Sequence, residues 1–185
     1  MPQTQEMPDA ALPPSTTVVV MGVSGTGKST VGEQIAQRLG WEFVEGDDLH
    51  PEANVAKMRS GTPLTDEDRW PWLRAVAAAI GEHEAAGRSM VITCSALKHE
   101  YRDLLREGHE SVWFAHVDTR EEVLVERLRK RTGHYMPGSL LESQLATLEP
   151  LTDDEPGHRY DGEGSIEETV QTLLRELAEE RGVTA

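Results

Sequence analysis

Residues 45–51 read Glu-Gly-Asp-Asp-Leu-His-Pro, and three carboxylates, Glu45, Asp47 and Asp48, fall within four positions. Carboxylates this close repel one another unless a cation or a proton donor sits among them. Two kinds of chemistry use such a group: holding a divalent cation through water, and accepting the proton of an attacking hydroxyl. Glu45 is assigned to the first and Asp47 to the second. The plain alternative is a solvated turn in which Asp48 caps the next segment.

A second constellation lies upstream. Gly22, Val23, Ser24, Gly25, Thr26, Gly27, Lys28 and Ser29 match G-x-x-x-x-G-K-[ST], with Thr30 following. Glycines allow the tight turn that aims backbone N–H groups inward, and the helix that follows adds partial positive charge at its N-terminus. Lys28 is placed to reach the β- and γ-phosphates, and the Ser29 hydroxyl to ligate Mg²⁺. ATP and Mg²⁺ are therefore the expected cofactors.

These residues need a frame. Thr17–Met21 is a β-branched run that reads as a buried first strand, and Lys28–Leu39 has helical apolar spacing with Gly40 as its stop. Trp41–Val44 is a short second strand, Leu73–Ala86 a helix, Ser89–Cys94 a third strand, Lys98–Arg106 a helix and Ser111–Val117 a fourth strand. Thr119 with Glu122 has the form of a capping box opening a helix to about Arg131; Ser165 with Glu168 has the same form before the final helix. Residues 132–164 read as irregular, apart from a helix at Ser139–Leu148 and a polar fifth strand between Glu155 and Asp161. Strands alternating with helices predict an α/β fold with a mainly parallel five-stranded sheet, and the glycine-rich loop makes it a three-layer fold of the phosphate-loop type. Residues 1–15, with four prolines, read as a disordered tail, and 16–185 as one domain with a mobile lid over about 127–150.

Within the phosphate-loop class, the chain has no [NT]-K-x-D element for reading guanine. The third strand ends Cys94-Ser95-Ala96, without the aspartate that a motor ATPase places there. A small kinase, with the acidic loop supplying the carboxylate, fits better. Ligands gather at the carboxyl ends of parallel strands, which is where both constellations lie. Residues that could meet an anionic, hydroxylated acceptor are Lys57, Arg59, Asp66 and Arg69 after the acidic loop, and Lys98 and Arg102, four apart on one helix face, with Arg102, Lys98 and Arg59 favoured; His50 is read as orienting the loop beside them. Arg127 and Arg131 share a helix face and are candidates for stabilising transferred charge.

Four segments carry a resemblance to the gluconokinase family: GVSGTGKST, GDDLHPEANVAKMRSGTPLTDEDRWPWL, CSALKHEYRDLLR and GHYMPGSLLESQLATLEPL, together spanning residues 22–151. The resemblance implies phosphoryl transfer from ATP to the 6-hydroxyl of D-gluconate, giving 6-phosphogluconate, on an adenylate-kinase-like core with a lid, commonly in a homodimer. Glu45 stands where the family usually has aspartate, and Leu145 where it has phenylalanine. A related kinase acting on shikimate or a nucleoside monophosphate is one alternative; a non-catalytic nucleotide-binding protein is another.

The formal charge of −15, from 33 acidic and 18 basic residues, disfavours nucleic acid and anionic membranes as partners. Any anion must be met by local positive groups. One cysteine, Cys94, excludes an internal disulfide and suits a reducing cytoplasm, and the N-terminal stretch lacks the basic start and apolar run of a secretory signal.

Overall fold

The computed structural model describes residues 15–130 and 138–183. The N-terminal tail, Arg131 and the middle of the expected lid lie outside the described residues.

Five strands form one all-parallel sheet: β1 (Thr17–Met21), β2 (Glu42–Glu45), β3 (Met90–Thr93), β4 (Val112–Asp118) and β5 (Gly157–Asp161). Their spatial order is β2-β3-β1-β4-β5. The apolar run of β1 is explained by burial on both faces. Val18 and Val20 pack into one core, Val19 and Met21 into the other. Helices α1 (Lys28–Leu39) and α7 (Ile166–Arg181) cover the first face; α3 (Asp66–Ala85) and α4 (His99–Arg106) cover the second. Shorter helices α2 (Glu52–Arg59), α5 (Glu121–Lys130) and α6 (Gly138–Thr147) lie at the ends of strands or helices. The polar sequence of β5 follows from its edge position: it pairs with β4 alone, and of its side chains only Tyr160 is buried. Gly157 meets β4 so closely that a Cβ there would lie 1.9 Å from the Phe114 carbonyl oxygen.

Several expectations need correction. Helix α3 begins at Asp66, well before Leu73. Thr65 Oγ1 accepts from the Asp68 amide at 3.2 Å and Asp68 Oδ2 accepts from the Thr65 amide at 2.9 Å, a reciprocal cap that starts the helix ahead of Pro71. Helix α2 and a 3-10 turn at Gly46–Leu49 occupy a stretch read as loop. Only Asn54 of α2 is buried, so its apolar periodicity was too weak to see. Asp48 is exposed and caps nothing; the residue preceding α2 is Pro51, with no side-chain cap. The Thr119–Glu122 box does not form, because the buried Thr119 hydroxyl has no hydrogen-bond partner. Of the described part of the expected lid, α6 is anchored on the body: Leu140 and Leu141 are buried, and the Glu149 amide donates to the Leu97 carbonyl at 2.7 Å.

Candidate active site

The phosphate loop joins β1 to α1 as its motif requires. Gly22 has φ +138°, and a Cβ there would lie 2.5 Å from the Val117 carbonyl oxygen, so only glycine fits beside β4. Gly27 caps α1 in the left-handed region. The Val23 carbonyl accepts from Lys28 Nζ at 3.0 Å and from Thr26 Oγ1 at 3.1 Å, which ties the loop across itself. Thr30 is exposed on the first turn of α1.

Strand β2 is not the neighbour of β1, since β3 lies between them. The acidic loop still reaches the phosphate loop, because α1 packs across β3 towards β2. Ser29 Oγ donates to Glu45 Oε2 at 2.7 Å, and Thr93 Oγ1 donates to Glu45 Oε1. Thr93 ends β3, where a motor ATPase would carry its aspartate; here it holds a carboxylate supplied by the adjacent strand, with which it is in register. Ser29 and Glu45 are hard oxygen donors of the type Mg²⁺ takes, and two protein ligands leave positions for phosphate oxygens and water. These residues fit the expected ion. Among the described residues no group of three or more His, Cys, Asp or Glu forms another metal site.

Gly46 sets the direction of the next residues. Its amide donates to Thr93 Oγ1 at 3.1 Å, and its carbonyl accepts from Trp72 Nε1 at 2.8 Å. Clasped between β3 and α3, the backbone turns and delivers Asp47 to the wall of a cavity of about 620 Å³. Lys28 and Ser24 of the phosphate loop line the same cavity, with His50, Arg59, Arg69, Trp72, Ser95 and Gln144. The Asp47 carboxyl keeps solvent contact through the cavity mouth. Loss of hydration to the surrounding protein nevertheless pushes its pKa up; Lys28 opposes the shift, and Glu45 and Asp48 add to it.

His50 stacks on Trp72 with ring centroids 4.1 Å apart. Burial, with the nearby Arg69 charge, lowers its pKa to about 4, so it is neutral at pH 7. The Asn54 amide nitrogen donates to the Asp68 carbonyl at 2.8 Å and lies 3.2 Å from His50 Nδ1. Nδ1 therefore accepts, and the ring carries its proton on Nε2.

The predicted cations divide. Arg59 lines the cavity. Lys57 instead pairs with Asp68 at 2.7 Å, fastening α2 to the start of α3. Lys98 Nζ lies 3.1 Å from both Asp66 oxygens, off the cavity wall. Arg102 is fully buried, with Nε 2.6 Å from Glu155 Oε2 and Nη1 2.8 Å from the Ala96 carbonyl oxygen; it is a structural residue and does not reach the cavity. Helical spacing placed Lys98 and Arg102 on one face but could not tell which side that face addressed. Arg127 donates to the Gly25 carbonyl at 3.2 Å and the Gly162 carbonyl at 2.6 Å, setting its charge against the phosphate loop. Arg131 lies outside the described residues.

Arg69, named among the residues after the acidic loop but not among the favoured contacts, has the more telling position. It is buried, lines the cavity and donates to the Tyr101 hydroxyl at 3.1 Å. Tyr101 in turn donates to Asp66, which the hydrogen bonds from Tyr101 and Lys98 hold below the usual carboxylate range. Lys98 thus supports Arg69 at a distance. Its signal in the sequence was the cap before α3: counting helical turns from Thr65 puts Arg69 on the same face as Trp72, Leu73 and Val76, all buried. Cys94 is buried, with its thiol pushed up to about 12, and offers no nucleophile.

A family model described as an AAA domain matches residues 18–151. A gluconokinase of Gluconobacter oxydans strain 621H is 52% identical over 163 residues, covering 88% of this chain and 92% of its own. The crystal structure of a sugar kinase from Janibacter sp. HTCC2649 superposes with a TM-score of 0.87 at 50% identity, covering 93% of this chain and 99% of that one. A gluconokinase structure from Sinorhizobium meliloti 1021 gives a TM-score of 0.80 at 48% identity, covering 92% and 95%. With its phosphate loop, its five-stranded parallel sheet and these relatives, the chain belongs to the gluconokinase family of phosphate-loop kinases.

Proposed function

We propose that this protein transfers the γ-phosphoryl group of ATP to the 6-hydroxyl of D-gluconate, releasing ADP and 6-phospho-D-gluconate. The observation that carries the reading is the shared cavity. Asp47 and Lys28 stand at its phosphate-loop end, and Arg59 and Arg69 supply positive charge elsewhere on its wall. A sugar acid has a carboxylate and a primary alcohol at opposite ends, and this distribution of charge matches it.

In this mechanism the loop amides and Lys28 hold the triphosphate. Ser29 and Glu45 hold Mg²⁺, which when bound neutralises charge on the β- and γ-phosphate oxygens. Asp47 orients the 6-hydroxyl in line and takes its proton late, because the transition state is loose. Arg69, with its Tyr101 and Asp66 support, grips the carboxylate, and Arg59 assists from the rim. Neutral His50 donates from Nε2 to a hydroxyl of the chain. Arg127, together with Arg131, stabilises the transferred charge. A homodimer in the cytoplasm completes the reading. Among the described residues no helix is long and apolar enough to cross a membrane.

The test is ADP release coupled to a panel of sugar acids with shikimate as comparator, and ³¹P NMR to locate the ester. Turnover of gluconate is expected; turnover of shikimate alone overturns the substrate. Asp47→Ala should lower kcat by about 10²- to 10⁴-fold with ATP binding little changed. Near-normal turnover would remove Asp47 from its role. Because the base form is required and its pKa is raised, wild-type kcat/KM should rise with pH through a point above the ordinary carboxylate range.

A further inference from the structure

One side chain joins the phosphate loop to the acceptor side of the cavity. Gln144, on α6, accepts a hydrogen bond from the Ser24 amide through Oε1 at 2.8 Å. The orientation of its amide group follows from that partner. A backbone N–H can only donate, so the atom facing it is the carbonyl oxygen and the NH₂ group points elsewhere. Among the described residues Nε2 has no hydrogen-bond partner, and Gln144 lines the same cavity as Asp47, His50 and Arg69.

The position is held from several directions. Ser24 lies between Val23, whose carbonyl accepts from Lys28 and Thr26, and Gly25, whose carbonyl accepts from Arg127. Gln144 is the contact that restrains the loop at Ser24 itself. Helix α6 is fixed by Leu140 and Leu141 in the core, and by Glu149, which accepts from the His99 amide at 3.0 Å. The glutamine is therefore carried on a rigid element, with two N–H protons left for a ligand in the cavity. Of the other polar side chains on that wall, Asp47 accepts, Lys28, Arg59 and Arg69 are charged donors, His50 offers one neutral N–H, and Ser95 and Ser143 carry short hydroxyls.

We infer that Gln144 is a specificity-determining residue of the acceptor site, whose NH₂ group donates to one secondary hydroxyl of a polyhydroxy acid while its carbonyl holds the phosphate loop in register with that acceptor. The inference rests on the proposed sugar-acid kinase reading. It assigns Gln144 a contact with the part of the substrate that neither reacts nor carries charge. Such contacts distinguish one hydroxylated acid from another, because a donor left facing an absent hydroxyl stays unpaired.

The experiment crosses enzyme variants with substrate variants. Wild type, Gln144→Met and Gln144→Glu are assayed with gluconate and with the acids deoxygenated singly at C2, C3, C4 and C5. Methionine keeps the length and removes both hydrogen bonds; glutamate keeps an acceptor for Ser24 and removes the donor. For wild type, one deoxy acid should lose about tenfold in kcat/KM through the missing bond. In both variants the difference between gluconate and that deoxy acid should vanish, whatever loss the two acids share. The KM for ATP should rise in Gln144→Met, which releases the Ser24 amide; that loss is shared by every acid, whereas the vanished deoxy penalty belongs to one position, a split that loss of folding would not produce. If every deoxy acid is penalised equally in wild type and both variants, Gln144 does not touch the acceptor. Should Gln144→Met fail to fold, Gln144→Glu carries the same comparison. If wild type does not phosphorylate gluconate at all, the underlying reading fails and this inference falls with it.

Discussion

Arg102 shows how far a single residue's role depends on where its helix face points. Its guanidinium is saturated by Glu155 at 2.6 and 3.0 Å and by the Ala96 and Pro150 carbonyls at 2.8 and 3.4 Å, with both ionic side chains fully buried. Removing one partner of a buried pair leaves the other charge without compensation, which costs about 3–5 kcal/mol. Arg102→Met should therefore lower the urea midpoint sharply, while kcat and the gluconate KM of the folded fraction stay near wild type. A selective rise in the gluconate KM without loss of stability would restore Arg102 to the site. The pH dependence has a definite sign. Burial alone would raise the Glu155 pKa, but the bonds from Arg102 and Thr152 outweigh it and the net shift is downward. A depressed carboxylate stabilises the fold above the ordinary carboxylate pKa, and that contribution disappears as pH falls through the lowered value. In Arg102→Met this part of the acid sensitivity should be lost.

At the level of elements, the site depends on the junction of β2 with the 3-10 turn. Glu45 and Asp47 are two residues apart, yet one bonds Ser29 and the other lines the cavity. The glycine between them makes this possible: a Cβ at Gly46 would lie 1.8 Å from the Thr93 carbonyl oxygen. Gly46→Ala should push the turn off β3, weaken the Trp72 and Thr93 bonds, and move Asp47. Overpacking of this kind costs about 1–3 kcal/mol, and a misplacement of about 1 Å is enough for a roughly 100-fold loss in kcat. Melting temperature and turnover measured together test this; an alanine variant with normal kcat would show that the close approach does not position the base.

For the whole molecule, the decisive quantity is charge. A surface at −15 repels ATP and gluconate at long range, so in the proposed mechanism binding relies on Lys28, Arg59 and Arg69, which line one cavity. The same charge opposes self-association. Among the described residues Val125 is the one large apolar side chain left exposed, at 41%. The proposed homodimer therefore has to overcome like-charge repulsion without a large apolar patch from these residues. Sedimentation velocity at ionic strengths of about 0.02 and 0.3 M should show the dimer fraction rising with salt as the repulsion is screened. A monomer throughout would remove the dimer from the proposal.

The sequence by itself determined the chemistry and the frame. The glycine spacing before Lys28 and Ser29, the β-branched run of Thr17–Met21 and the helical period of Lys28–Leu39 are local signals, and local backbone preference with burial on both sheet faces was enough to turn them into a loop, a strand and a helix. Asp47, His50 and Arg59 were legible as well, because they follow a strand at the end where ligands gather. Tertiary structure alone decided which cations face the cavity. Lys57, Lys98, Arg102 and Arg69 carry the same formal charge and lie in or beside helices, so charge alone does not separate them. Only the packing of α2 on α3, and of α4 on the segment ending at Glu155, buries Arg102, pairs Lys57 and Lys98 and turns Arg69 inward. Gln144 was likewise silent in the sequence, 120 residues from the loop amide it holds. A hydrogen bond over that separation leaves no periodic trace, since it exists only once the fold has brought α6 to the phosphate loop.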